Sequence, residues 1–213
     1  MKDLIIIGNG GFAKEIACLI EDMNSEREIW NILGFISSDE EDIGSRHGKY
    51  EIVGCDKDII ESDKEINIAI GLGSPEIIDN IVKAYRENKN LVFPNLIHPT
   101  VIYDHEGVKF GKGNILCAGT IFTTDIIVGS FNMFNLSCTI GHDTRIGDCN
   151  VFNPSANISG NVTVEDRILV GTGAQVLQNI NICSDVIVGA GAVATKDIND
   201  PGVYVGTPAR KLK

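Results

Sequence analysis

Residues 110–188 read FGKGNILCAGTIFTTDIIVGSFNMFNLSCTIGHDTRIGDCNVFNPSANISGNVTVEDRILVGTGAQVLQNINICSDVIV, and every sixth residue is a large apolar one. The series is Phe110, Leu116, Phe122, Val128, Phe134, Ile140, Ile146, Phe152, Ile158, Val164, Val170, Val176, Ile182 and Val188. A helix period of about 3.6 or a strand period of about 2 soon falls out of step with such spacing. A coil that spends six residues on each of its faces keeps every anchor aimed at one shared core. Gly follows six of the anchors, and the positions two before an anchor are small or β-branched at Thr120, Cys138, Ala156, Ala174 and Val186. The stretch therefore predicts short parallel strands joined by tight corners, where left-handed backbone and Gly or Asn are expected.

The rest of the chain bounds the class. It has 213 residues, 43% of them hydrophobic and 22% charged, an ordinary globular balance with room for two small domains. The net charge is −11, and the acid is concentrated at the front: residues 1–94 hold ten Lys/Arg against nineteen Asp/Glu, residues 95–213 eight against ten. Nucleic acid and anionic membranes need a basic face and are excluded as partners. No apolar run approaches the roughly 18–20 residues of a membrane span, and MKDLIIIGNGG has no small-residue cleavage site after its apolar run, so a cytoplasmic protein is expected. The six Cys lack CxxC or CxxH spacing and read as reduced, mostly buried thiols, with no metal expected.

Upstream of the repeat, the strand from Asp3 to Ile7 runs into Gly8-Asn9-Gly10-Gly11-Phe12-Ala13 and then an amphipathic helix carrying Ile16, Leu19, Ile20 and Met23. Strand, glycine turn and helix put the amides of Gly10 and Gly11 at a helix N-terminus, where a phosphate can sit. Further strands are read at ILGFI, EIVG and INIAIG, with a polar helix over 56–62 and another from Pro75 to about Asn88. This alternation gives an α/β half-Rossmann domain over residues 1–94, with ligands expected at the strand ends near Gly10, Ser37 and Gly71 and a ribose-binding acid near Asp39. Residues 95–213 form the repeat domain and its tail, in which Lys196, Arg210, Lys211 and Lys213 cluster.

GNGGFA, the unbroken hexapeptide repeat, FNLSCTIGHDTRIGD, NPSANISGNV and the ending VGTPARKL together resemble the sugar O-acyltransferases of the sialic acid O-acetyltransferase type. That family includes N-acetyltransferases for nucleotide-linked 4-amino-sugars. The resemblance implies a left-handed parallel β-helix, a homotrimer, acetyl-CoA bound between neighbouring subunits, and a nucleotide-sugar held by the N-terminal domain at Gly10, Gly11, Phe12, Ser37, Ser38 and Gly71. It implies acetylation of a 4-amino group in bacterial surface-glycan synthesis. O-acetylation of sialic acid or a related sugar is the alternative, and a non-enzymatic dinucleotide-binding module a second.

Of the four His, only His142 stands within the repeat, two residues past an anchor. Beside it, Asp143 is placed to orient the imidazole for general-base work. One coil away, Gly160 carries no side chain, so a pantetheine arm is expected to pass there. The family pattern puts its base at His142, its acid at Asp143, and at Asn135 an amide that holds the nucleophile. It puts acyl-donor contacts at Thr172 and Ala190. Val151 stands where many members have a His, and Ser37-Ser38 where UDP-sugar enzymes have an Asp pair. Outward positions at Phe131 and Met133 suggest an apolar face for the trimer. A γ-class carbonic anhydrase would need three His in the repeat.

Overall fold

The computed structural model describes residues 1–212; Lys213 lies outside them. Two compact units emerge, Met1–Gly73 with Ile77–Pro99, and Ser74–Glu76 with the chain from Thr100 onward.

The first unit runs β1 (Lys2–Ile7), α1 (Gly11–Glu26), β2 (Trp30–Ser37), a 3-10 turn (Glu40–Asp42), β3 (Arg46–His47), β4 (Tyr50–Cys55), α2 (Asp56–Ile60), β5 (Ile66–Ile70), α3 (Pro75–Tyr85) and β6 (Leu91–Val92). Its sheet order is β3-β4-β2-β1-β5-β6, parallel except for the β3–β4 pair. Strands are laid outward from β1 in both directions, so the order reverses beside β1 and opens a crevice at its carboxyl end. Leu4 to Ile7 are buried without interruption, as a strand covered on both faces requires. α1 buries Ala13, Ile16, Ala17, Leu19 and Ile20, one helical stripe. Each buried Ile or Leu there contributes about 1.5–3 kcal/mol.

The second unit is a left-handed parallel β-helix of short, mostly two-residue strands in three ladders, with partners 18 residues apart from Lys109 to Ala194. Ile115-Leu116 pairs with Met133-Phe134, then Val151-Phe152 and Leu169-Val170; Ile121-Phe122 pairs with Thr139-Ile140, and Ile127-Val128 with Arg145-Ile146. Every anchor from Leu116 to Val188 is at most 4% exposed. Phe110, Phe122, Phe134 and Phe152 follow one another through the interior with ring centroids 5.2, 4.9 and 4.7 Å apart. The buried amides Asn114, Asn132 and Asn150 form a second internal column, each accepting from the backbone N–H one coil on.

One expectation about this unit is refined and another corrected. Left-handed backbone falls three residues past the anchors: the expected Gly or Asn stands there at Gly113, Gly119, Asn161, Gly173, Asn179 and Gly191, but Asp125, Phe131, Ser137, Asp143, Cys149, Ser155, Arg167 and Asp185 take it too, and the glycine that directly follows an anchor does not. That glycine serves coil stacking: a Cβ on Gly141 would stand 2.6 Å from the Gly160 nitrogen, and one on Gly171 2.5 Å from that of Ala190. Phe131 and Met133 are buried within the single chain, and the exposed large apolar residues of this unit include Ile102, Ile121, Ile127, Leu136, Leu177 and Ile187 instead.

Candidate active site

Each coil turns three corners, and the residue two past the anchor projects from the corner while the next takes the left-handed conformation. At the corner after Ile140 these are His142 and Asp143. Short polar Asp tolerates φ of 60°, and there its carboxylate curls back onto its neighbour. His142 Nδ1 lies 2.7 Å from Asp143 Oδ2, with both side chains more than half exposed. When Nδ1 carries the proton it donates to Asp143, and the lone pair of Nε2 is left for a substrate proton.

Gly160 is one coil on, and the room expected over it is filled by the imidazole itself. A Cβ on Gly160 would stand 2.6 Å from His142 Cε1 and Nε2. Any side chain there would collide with the ring, so glycine at this corner leaves the place that the imidazole occupies. The corner opens on a cleft of about 880 Å³ whose walls include His142, Asp143, Asn161, Asn179, Lys109 and Arg145.

Asn135, Thr172 and Ala190 stand on a different corner, the one following the ladder of Phe134, Val170 and Val188. Seven residues and one whole face separate Asn135 from His142, so one chain does not bring the two groups together. Asn135 is 7% exposed, and its side-chain amide bonds no described residue. Thr172 and Ala190 are exposed, and the backbone N–H of each makes no hydrogen bond among the described residues. At the third corner the equivalent amides are covered: Ser130 N–H donates to Asp148 Oδ1, and Asp148 N–H to Asp166 Oδ1. Side-chain caps thus occupy one corner, and free donors remain on the two that carry the candidate residues. Val151 is fully buried, so its side chain presents no surface to an acyl donor.

The Cys138 thiol is not poised as a nucleophile. Cys138 is fully buried, and burial pushes its pKa up to about 12. Among the described residues no group of three or more His, Cys, Asp or Glu could hold a metal ion, and no helix is long and apolar enough to cross a membrane.

In the first unit, Gly8 has φ of 100°, and a Cβ there would stand 2.9 Å from the Gly71 oxygen. Gly71, expected at the ligand, is buried against α1 instead: a Cβ on it would stand 2.9 Å from Ala13 Cα and Cβ. Close helix–strand packing is therefore its role. Gly10 and Gly11 differ, since a Cβ on either would have no atom of the chain within 4 Å. α1 starts at Gly11 behind an N-cap, Gly10, that has no side chain to cover the helix amides. Phe12 is half-buried, Ser37 buried and Ser38 exposed at the end of β2.

Asp39, the expected ribose acid, is engaged in a local cap. Its Oδ1 accepts from Glu41 N–H at 2.9 Å, capping the 3-10 turn. The carboxylate that faces the glycine loop is Asp42, missed by the sequence reading: its Oδ2 accepts from Ser37 Oγ at 2.6 Å and Asn9 Nδ2 at 2.8 Å. Only the Asn in G-N-G hinted at such a partner.

Residues 3–85 match the family model for the PglD N-terminal domain. No curated protein sequence matches the chain. Among solved structures, the chain is 25% identical to PerB from Caulobacter crescentus, solved in complex with CoA and GDP-perosamine, with 100% of this chain and 98% of that one covered and a TM-score of 0.87. It is 26% identical to the acetyltransferase domain of PglB from Neisseria gonorrhoeae, with both chains fully covered and a TM-score of 0.88. WeeI from Acinetobacter baumannii is 28% identical over the full length of both chains, with a TM-score of 0.85.

Proposed function

We propose that this chain, a hexapeptide-repeat sugar acyltransferase, moves an acetyl group from acetyl-CoA to the 4-amino group of a nucleotide-linked sugar. The observation that carries the reading is the His142–Asp143 pair at 2.7 Å, on an open corner of a β-helix fused to a half-Rossmann domain. His142 Nε2 takes a proton from the sugar amine as its nitrogen attacks the thioester carbonyl, and CoA thiolate leaves. A backbone N–H steadies the oxyanion. No acyl-enzyme forms, in keeping with the buried state of Cys138. The base contributes about 10²- to 10⁴-fold, and positioning supplies the remainder.

The nucleotide-sugar occupies the crevice of the first unit, with its diphosphate on the amides of Gly10 and Gly11 and its nucleoside toward Phe12, Ser37 and Ser38. The acyl donor lies between two copies of the chain, held by the free amides of Thr172 and Ala190 from one, with its thioester facing the nucleophile that His142 of the other deprotonates. That arrangement makes a homotrimer the working form, since one copy holds Asn135 and His142 on separate corners. We place the enzyme in the cytoplasm, where acetyl-CoA is available, and in the synthesis of a bacterial surface glycan. O-acetylation would use the same base on a hydroxyl.

The test is thiol release from acetyl-CoA with a panel of nucleotide-linked amino sugars and, in parallel, CMP-linked and free sialic acids, with products identified by mass. Acetyl transfer to an amino-sugar nucleotide supports the reading. Turnover confined to the sialic acids would replace it with the O-acetyl alternative.

A further inference from the structure

The carboxylate of Asp42 is held in an unusual way for a residue on a half-exposed turn. Its Oδ2 takes two hydrogen bonds from groups with fixed places in the fold: Ser37, buried at the carboxyl end of β2, and Asn9, in the glycine loop that leads into α1. Asn9 Nδ2 also reaches Ser37 Oγ at 3.3 Å, so the three side chains close into one network. Oδ1 of Asp42 makes no hydrogen bond among the described residues and remains an acceptor. The acid that sequence spacing favoured, Asp39, has its Oδ1 engaged by the Glu41 N–H. One carboxylate therefore caps the turn, and the other faces the loop.

We infer that Asp42 accepts a hydrogen bond from the ribose 2′-hydroxyl of the substrate, so that the enzyme takes ribonucleoside diphosphate sugars in preference to deoxyribonucleoside ones. This rests on the nucleotide-sugar reading above. In a doubly wound sheet the diphosphate lies at the first helix N-terminus, and an acid near the end of the second strand meets the ribose. Ribose adjoins the diphosphate in any nucleotide, so an acceptor bonded directly to the phosphate loop through Asn9 faces the sugar ring and not the distal base. A serine at the strand end with a carboxylate returning from the 3-10 turn holds an acceptor beside the glycine loop. An ionised carboxylate bonds a hydroxyl strongly, and losing that partner leaves the acceptor unpaired.

The experiment is calorimetric titration of the full-length protein with UDP and GDP against 2′-dUDP and 2′-dGDP, repeated on Asp42→Ala. The wild type is expected to bind the better ribonucleotide about 10-fold or more tightly than its 2′-deoxy form. In Asp42→Ala the preference should fall to about twofold or less, with the KM for acetyl-CoA unchanged. Equal affinity of the wild type for ribo and deoxy forms would overturn the inference without any variant, as would a preference that survives in Asp42→Ala. If none of the four diphosphates binds, both this inference and the assignment of the nucleotide to the first unit fall. If they bind without discrimination, only this inference does.

Discussion

His142 is fixed from two sides, by a hydrogen bond to Asp143 at its Nδ1 edge and by the bare backbone of Gly160 beneath its far edge. The two contacts do different things. In the proposed mechanism Asp143 sets which nitrogen is the base, and Gly160 sets where that nitrogen points. Replacing His142 with Ala should lower kcat by about 10²-fold or more with little change in the KM for acetyl-CoA, because the base acts on the nucleophile. Gly160→Ala should lower kcat too, by about 10-fold or more, since a methyl would displace the ring tip from its place while the fold keeps its melting temperature. An unchanged kcat in Gly160→Ala would show that ring position is not limiting. In the first unit Gly11→Val has space for its side chain and should fold normally, yet raise the KM for the nucleotide-sugar alone. The burial that raises the pKa of Cys138 predicts that a thiol reagent at pH 8 labels the exposed Cys18 and leaves Cys138 intact, as peptide mapping would reveal.

Among the elements, the strand ladders were legible because one apolar anchor per six residues is a property of composition along the line. The corners were less so. Sequence points to Gly or Asn at the left-handed corners, and Gly113, Gly119 and Asn161 stand there, but so do Asp125, Ser137 and Ser155, while Gly141 and Gly171, directly after anchors, let the next coil's backbone approach. A one-dimensional pattern reports that a glycine is needed and not whether torsion or close approach needs it. Gly71 misled in the same way: its place at a strand end suggested a ligand, and its neighbour is Ala13. Asp42 escaped notice because a 3-10 turn folds it back onto Ser37 and Asn9 across 33 residues of sequence. His142 and Asp143 were legible, being the one His in the repeat and the acid beside it. The internal Asn column makes an element-scale prediction. Asn132→Ala would strip partners from the buried Asn150 N–H and the Gly147 carbonyl, at about 1–3 kcal/mol for each group left unpaired, and denaturant unfolding should report a loss in that range.

For the molecule as a whole, the distribution of free backbone donors is the guide to assembly. Two corners of the prism offer uncapped amides with the candidate residues, and the third is closed by Asp148 and Asp166. Ile102, Ile121, Ile127, Leu136, Leu177 and Ile187 are exposed large apolar residues of the same unit, and the proposed assembly would use such surface. Sedimentation velocity at micromolar concentration should therefore find a trimer, and a stable monomer with full activity would refute a shared site. The central claim is that His142 draws a proton from the amine of a nucleotide-linked sugar as it attacks acetyl-CoA. Single-turnover acetyl transfer to such an amino sugar, wild type against His142→Ala with both substrates saturating, tests it most directly. The account predicts a transfer rate reduced about 10²-fold or more in the variant, with both ligands still bound. Transfer at the wild-type rate in His142→Ala would contradict it.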